Sequence, residues 1–206
     1  MQKTAARNVN YQKCGSIMML LAVLNALAVI AAVLASDSVQ GKTPAMAKAG
    51  AIGSAAVLAV YAAVLLALSS EETGYRTASV FFLLAAAAGA AGLVFRAGTY
   101  GAAEISGAAG SIFLIPARIK ECSAHSFIVS DPDFAVSSVW RKIRKWHVVA
   151  LAVAAAASLL APLDTFFSSM VVSAGAILCA VMHIVQMGLL LRSSRLCRDF
   201  YGTLGR

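Results

Sequence analysis

The feature that most constrains this chain is a series of long apolar runs with almost no charge. A helix needs about 20 mostly apolar residues to cross a bilayer. Five runs reach that length, at about 14–36, 49–70, 77–95, 146–163 and 166–191. The chain is 60% hydrophobic and 13% charged, whereas soluble domains have roughly 45–50% and about 25%. The sequence therefore predicts an all-α integral membrane protein that forms a single transmembrane domain over residues 1–206.

A sixth candidate span is less obvious, because it contains a carboxylate. The stretch GTYGAAEISGAAGSIFLIPAR (98–118) has Glu104 within an otherwise apolar segment. Residues 100–117 are long enough to cross the membrane. We therefore predict a six-span helical bundle, and five spans are the alternative.

The distribution of basic residues predicts the orientation. Six spans with a cytoplasmic N-terminus place 14 of the 17 Lys and Arg residues inside, as the positive-inside rule expects. Five spans place 13 inside, but they move a short tail with Lys3, Arg7 and Lys13 across the membrane. We predict a cell-membrane protein with both termini cytoplasmic. The net charge of +8 does not indicate nucleic-acid binding, because the basic residues flank apolar runs.

The segment 118–145 is predicted to be a cytoplasmic loop. Within SDPDFAVSSVWRKIRKW (130–146), apolar and basic residues alternate as in an amphipathic helix at a membrane surface. We predict an interfacial helix there, between spans 4 and 5, that contacts membrane lipids. An acidic protein partner is the alternative. The predicted lipid-surface anchor consists of Trp140, Arg141, Lys142, Arg144, Lys145 and Trp146.

Five polar residues in or near the spans form the candidate intramembrane site. Arg96 and Glu104 flank the turn before the 100–117 run, so they are predicted to neutralise each other across a hairpin. His183 and Gln186 share a helix face with Cys179. Asn25 lies alone in the first run. The favoured interpretation is hydrogen bonding between packed helices, and the alternative is a polar track for a solute.

Catalytic and cofactor motifs are not found in the sequence. It has no G-x-S-x-G, H-E-x-x-H or Walker A pattern. Cys122 and His125 are too few ligands for zinc. His147 and His183 differ too much in predicted depth to hold haem together. We therefore predict no cofactor, no metal and no enzymatic activity.

The leading functional prediction is a small polytopic membrane protein that acts by packing. It would be an accessory subunit of a larger complex or a homo-oligomer. The alternative is a small-solute or ion transporter or channel, which requires a water-accessible cavity between the first, fourth and sixth spans. A lipid-modifying enzyme would require titratable groups to converge near the inner boundary, for example His147 and the acids of 118–145.

Overall fold

The chain is helical throughout the part that the computed structural model describes, which is residues 9–35, 43–95, 101–163 and 165–204. It contains six α-helices and, at Ala161–Leu163, a short 3₁₀ turn; no strand occurs in these ranges. The helices are α1 (Tyr11–Leu34), α2 (Pro44–Ala67), α3 (Gly74–Phe95), α4 (Ala102–Ile128), α5 (Phe134–Leu160) and α6 (Phe166–Leu204). The predicted all-α class is confirmed.

Five segments of the described helices are long and apolar enough to cross a membrane. They are Tyr11–Leu34, Lys48–Ala67, Gly74–Val94, Phe134–Leu160 and Phe166–Thr203. Helix α4 is not among the five, and it carries four charged residues, Glu104, Arg118, Lys120 and Glu121. The described chain is thus a helical bundle of the kind found in membrane proteins.

Local chemistry explains where several helices begin. The Asn10 side chain accepts a hydrogen bond from the Lys13 N–H and caps α1, and Asp133 caps α5 through two backbone N–H groups. Such side chains satisfy donors that have no partner within the helix. At the start of α4, Gly101 has a φ of +96°, which only glycine adopts readily.

The six helices form a ring. Each helix packs against its neighbours in sequence, and α6 also packs against α1. One end of the ring, here called the packed end, holds the start of α1, the α2–α3 and α4–α5 turns, and the end of α6. Its core consists of large buried side chains, such as Met18, Leu65, Phe82 and Leu190. Alanines dominate the buried positions of the opposite end, including Ala31, Ala86, Ala108 and Ala155.

The segment 118–145, which we predict to be a cytoplasmic loop, is mostly helical. Helix α4 continues to Ile128 and α5 begins at Phe134, so only five residues, 129–133, lie between them. The interfacial helix predicted between spans 4 and 5 is not confirmed, since its residues from Phe134 onwards form the start of one continuous helix, 134–160. The polar residues of this segment looked solvated in the sequence. Several of them instead pair inside the bundle, which allows the helices to extend beyond their apolar runs.

Helix α1 approaches α6 very closely at the packed end. A Cβ atom at Gly15 would lie 2.9 Å from the Ser194 carbonyl oxygen. Gly15→Ala is therefore expected to lower the free energy of unfolding by about 1–3 kcal/mol through overpacking. Gly188→Ala is the matched control, because nothing lies within 4 Å of a Cβ there. Unfolding in mixed micelles measures both variants, and equal stability of the two would contradict the close approach.

A tether at the packed end connects α1 to the α2–α3 turn. The Glu71 carboxylate accepts hydrogen bonds from the Asn10 N–H at 3.0 Å and from Lys13 Nζ at 3.1 Å. Partial burial acts to raise the Glu71 pKa, but these bonds and one from Ser70 outweigh it, so the pKa lies below its ordinary value of 4.5. The carboxylate therefore stabilises the fold at neutral pH.

The tether predicts a pH dependence of stability. A carboxyl group with a lowered pKa in the folded state contributes fully above its unfolded pKa of about 4.3, and the contribution disappears as the pH falls through the folded pKa. Glu71→Gln is expected to lower the melting temperature at pH 7 and to have progressively less effect below about pH 4.5. Thermal unfolding of both proteins across this range measures the difference. A difference that grows towards acid pH would contradict the tether.

Candidate functional site

Three polar side chains of α4 lie on one face of that helix and point into the bundle. Arg118, Glu121 and His125 follow one another at spacings of three and four residues, which places them together on a helix. Arg118 is 5% exposed, and the other two are fully buried. Arg118 Nη1 donates to Glu121 Oε2 at 2.8 Å. The helix thus carries an ion pair within its own buried face.

Neighbouring helices complete the environment of Glu121. Its Oε1 atom accepts hydrogen bonds from the Tyr61 hydroxyl of α2 and from Gln186 Nε2 of α6, the latter at 3.1 Å. The Gln186 Oε1 atom in turn lies 3.1 Å from His147 Nε2 of α5. Four helices therefore contribute to one hydrogen-bonded chain. A buried carboxylate requires such partners, because an unpaired charge is very costly in an apolar interior.

His125 extends this chain to α3. Its Nδ1 atom lies 2.8 Å from the Tyr75 hydroxyl, and its Nε2 atom lies 3.5 Å from Glu121 Oε1. The Trp140 ring lies against the imidazole with 4.6 Å between ring centroids. Trp140 Nε1 also donates to Ser193 Oγ at 3.0 Å. We call the connected group the polar cluster; it comprises Tyr61, Tyr75, Arg118, Glu121, His125, His147 and Gln186.

The charge of Arg118 is compensated from two directions. Glu121 neutralises it along α4, and the guanidinium carbon lies 4.9 Å from the Phe82 ring centroid and 5.4 Å from that of Tyr61. Cation–π contacts of this kind are stronger where water is excluded. The Arg118–Glu121 pair is therefore electrically neutral and buried. Its contacts with Phe82 and Tyr61 join α4 to the neighbouring helices.

The polar cluster gives no indication of a metal centre. In the ranges that the structure describes, no group of three or more His, Cys, Asp or Glu side chains could hold a metal ion. His147 does reach Glu121 through Gln186, so the titratable groups that a lipid-modifying enzyme would need are close together. All three side chains are buried.

The predicted intramembrane residues fall in three different places. Gln186 joins the polar cluster. The Glu104 carboxylate accepts the Gly101 N–H at 3.0 Å at the start of α4. Its predicted partner Arg96 lies outside the described residues. Asn25 and His183 are together between α1 and α6, where Asn25 Nδ2 donates to the His183 carbonyl oxygen at 2.7 Å. One continuous polar track is therefore not formed by the residues described.

The predicted lipid-surface anchor is divided between the two sides of α5. Arg141, Lys142, Lys145 and Trp146 are exposed, whereas Arg144 is half-buried and donates to Ser123 Oγ at 3.0 Å. Trp140 is fully buried, so its assignment to the lipid surface is wrong. Trp140 and Trp146 are six residues apart and therefore lie on different faces of α5. Trp140 faces His125 and Ser193 inside the bundle, whereas Trp146 is exposed.

Sequence reasoning missed most of the polar cluster. The signal was the i, i+3, i+7 spacing of Arg118, Glu121 and His125 immediately after an apolar run, which places an ion pair on one helix face. The polar residues of 118–145 instead led to the prediction of a loop there. Comparison of the chain with protein-family models, curated proteins and solved structures found no match.

Proposed function

We propose that this chain is a six-span protein of the cell membrane that acts without catalysis, as an accessory subunit or by self-association. The observation that carries the proposal is the distribution of polar and apolar groups. Most polar atoms of the polar cluster bond to one another inside the ring, with His125 Nε2 as the exception, while large apolar side chains such as Val60, Ile112 and Ile177 are exposed on its outside. A protein with this distribution meets lipid and partners through its outer surface.

The relative position of the helix ends supports six spans over five. The rings of Tyr11, at the start of α1, and Phe200, near the end of α6, lie 4.9 Å apart. An even number of crossings brings the two ends to one side of a membrane, and an odd number separates them. The buried charges of α4 do not oppose crossing, since Arg118 and Glu121 neutralise each other within the helix; Glu104 lies in its first turn, and Lys120 is exposed near the packed end.

The exposed basic residues support a cytoplasmic packed end. They include Arg76, Lys120, Arg141, Lys142, Lys145, Arg192, Arg195 and Arg198, all of which lie in the parts of the helices nearest the packed end. Cytoplasmic surfaces of membrane proteins are enriched in Lys and Arg. Both ends of the described chain would then be cytoplasmic. The same exposed cations fit anionic lipid headgroups, each contributing about 1 kcal/mol near a membrane surface.

A cysteine-labelling experiment tests this topology. In a chain whose four cysteines are replaced by alanine, Lys48→Cys and Lys142→Cys are compared with a membrane-impermeant maleimide. We expect Lys48→Cys to react in intact cells and Lys142→Cys only after lysis. The five-span alternative keeps both positions inside. Protection of Lys48→Cys until lysis would therefore contradict six spans.

The packing role is favoured over a transporter by the position of Gln186. The transporter alternative needs this residue to line a water-accessible cavity, but its amide is buried and bonded to Glu121, Tyr61 and His147. Subunit counting by photobleaching in native-membrane nanodiscs tests the proposal. We expect a fixed assembly of copies or a stable complex with another subunit. A monomer that moves a solute in reconstituted vesicles would support the transporter instead.

A further inference from the structure

Helices α1 and α6 are in close contact at the packed end and separate towards the alanine-rich end. At the packed end Ser194 Oγ donates to the Gly15 carbonyl oxygen at 2.7 Å. Further along, a groove of about 440 Å³ opens between the two helices. Its walls are mostly small or apolar, namely Ala28, Val29, Ala32, Ala176, Ile177 and Ala180, with His183 at one end.

Two hydrogen-bond acceptors lie where the helices begin to separate. Asn25 is 1% exposed, and its Oδ1 atom has no hydrogen-bond partner in the described chain. His183 Nδ1 lies 2.8 Å from the Cys179 carbonyl oxygen, so in the neutral ring this nitrogen carries the proton and Nε2 is an acceptor. Asn25 and His183 also line a second cavity of about 170 Å³.

We propose that the groove between α1 and α6 binds a long-chain alcohol, with its chain along the alanine walls and its hydroxyl in the second cavity, which shares Val29 and His183 with the groove, donating to Asn25 Oδ1. An unpartnered buried acceptor is costly, so the buried Asn25 Oδ1 atom favours a ligand that brings a hydrogen-bond donor, and His183 Nε2 is the alternative acceptor. A carboxylate or an ester has no O–H or N–H to donate. An ammonium group would place an uncompensated charge among apolar side chains. A neutral hydroxyl supplies one O–H donor, which is sufficient for Asn25 Oδ1, and it brings no charge.

The size and depth of the groove also favour a simple alcohol. Its volume lies within the roughly 300–1,000 Å³ of small-molecule sites. Asn25 lies 14 residues after the start of α1 and nine before its end at Leu34, so it is at least about 13 Å from either end of the helix at a rise of 1.5 Å per residue. A phospholipid would have to bring its charged headgroup to that depth. A second helix is a poorer occupant, because its backbone donors are already used internally.

Photolabelling of the reconstituted chain tests this inference, which rests on the proposed membrane embedding. The full chain in phosphatidylcholine vesicles is exposed to a long-chain primary alcohol bearing a diazirine, or to its methyl ether of identical chain. Flotation with the vesicles is measured first. We expect the alcohol to label 28–33 and 176–183 at least about fivefold more than the ether, the effect of about one hydrogen bond.

Three variants distinguish binding in the groove from labelling by bulk lipid. Ala180→Phe fills the groove and is expected to abolish the preference for the alcohol, whereas Ala63→Phe, at an exposed position of α2, leaves it intact. His183→Phe removes one acceptor and is expected to reduce the preference without blocking the groove. Equal labelling by alcohol and ether in a chain that floats would overturn the inference and leave the proposed function standing.

Two further outcomes are also decisive. A cross-link that joins two copies through 176–183 would show that a protein helix occupies the groove, and it would overturn the alcohol site. A chain that does not float would contradict the membrane embedding itself, and with it both proposals.

Discussion

Replacing Glu121 with leucine is expected to lower the free energy of unfolding by about 3–5 kcal/mol, the usual cost of removing one partner from a buried ion pair. The variant leaves the Arg118 guanidinium without its carboxylate in the interior of the bundle. It also removes the acceptor for Tyr61 and Gln186. Unfolding by SDS in mixed micelles, followed by circular dichroism, measures the change.

A double variant distinguishes loss of charge balance from loss of packing. Arg118→Met combined with Glu121→Leu removes both charges and keeps comparable volume. Because a buried ion pair contributes little net stability relative to apolar side chains, we expect the double variant to be more stable than Glu121→Leu alone. If the two losses simply add, the ion pair does not act as a unit and the description of the polar cluster is wrong.

Trp140→Ala is expected to cost about 3–5 kcal/mol, as for large-to-small changes at other buried aromatic positions. The change leaves a cavity beside His125 and removes the donor to Ser193 Oγ. The matched control is Trp146→Ala on the same helix, where the side chain is 60% exposed. We expect that control to change stability by less than about 0.5 kcal/mol in detergent, as for most surface substitutions.

The same pair of tryptophans tests the surface assignment. If Trp146 contacts the membrane interface, headgroup-attached quenchers are expected to reduce its emission strongly, whereas the Trp140 emission that remains in Trp146→Ala is expected to change very little. Fluorescence quenching by lipids with headgroup-attached quenchers measures this contact. Strong quenching of Trp140 and weak quenching of Trp146 would reverse the assignment and contradict the packing of α5.

The existence of the helices could be predicted from apolar runs, because a long run without charge has few stable conformations other than a helix. The run at 14–36 corresponds to Tyr11–Leu34, and the run at 77–95 corresponds to Gly74–Phe95. Helix ends were less predictable, as α6 extends to Leu204. Backbone hydrogen bonds continue a helix into polar sequence, so hydropathy marks only its apolar part.

The candidate site was predictable only in part. Polarity alone does not distinguish a solvated charge from a paired one, and the difference depends on which helices surround it. Glu121 has its nearest oppositely charged partner three residues away, but its other donors, Tyr61 and Gln186, come from residues 60 and 65 positions away in the chain. The sequence alone indicates Gln186 as a candidate site residue. It does not indicate the partners of Gln186, because they depend on which helices pack around α6.

The ring has a consequence for how the protein is made. The contact that completes it joins the first described helix to the last, so α1 is synthesised long before its partner. Gln186, the α6 residue that donates to Glu121, is also synthesised after the other members of the polar cluster. We expect a nascent chain stalled before α6 to lack the α1–α6 contact and to leave the Glu121 carboxylate without the hydrogen bond from Gln186. Such a chain should be recognised and degraded by membrane quality control, and only the finished ring should be long-lived.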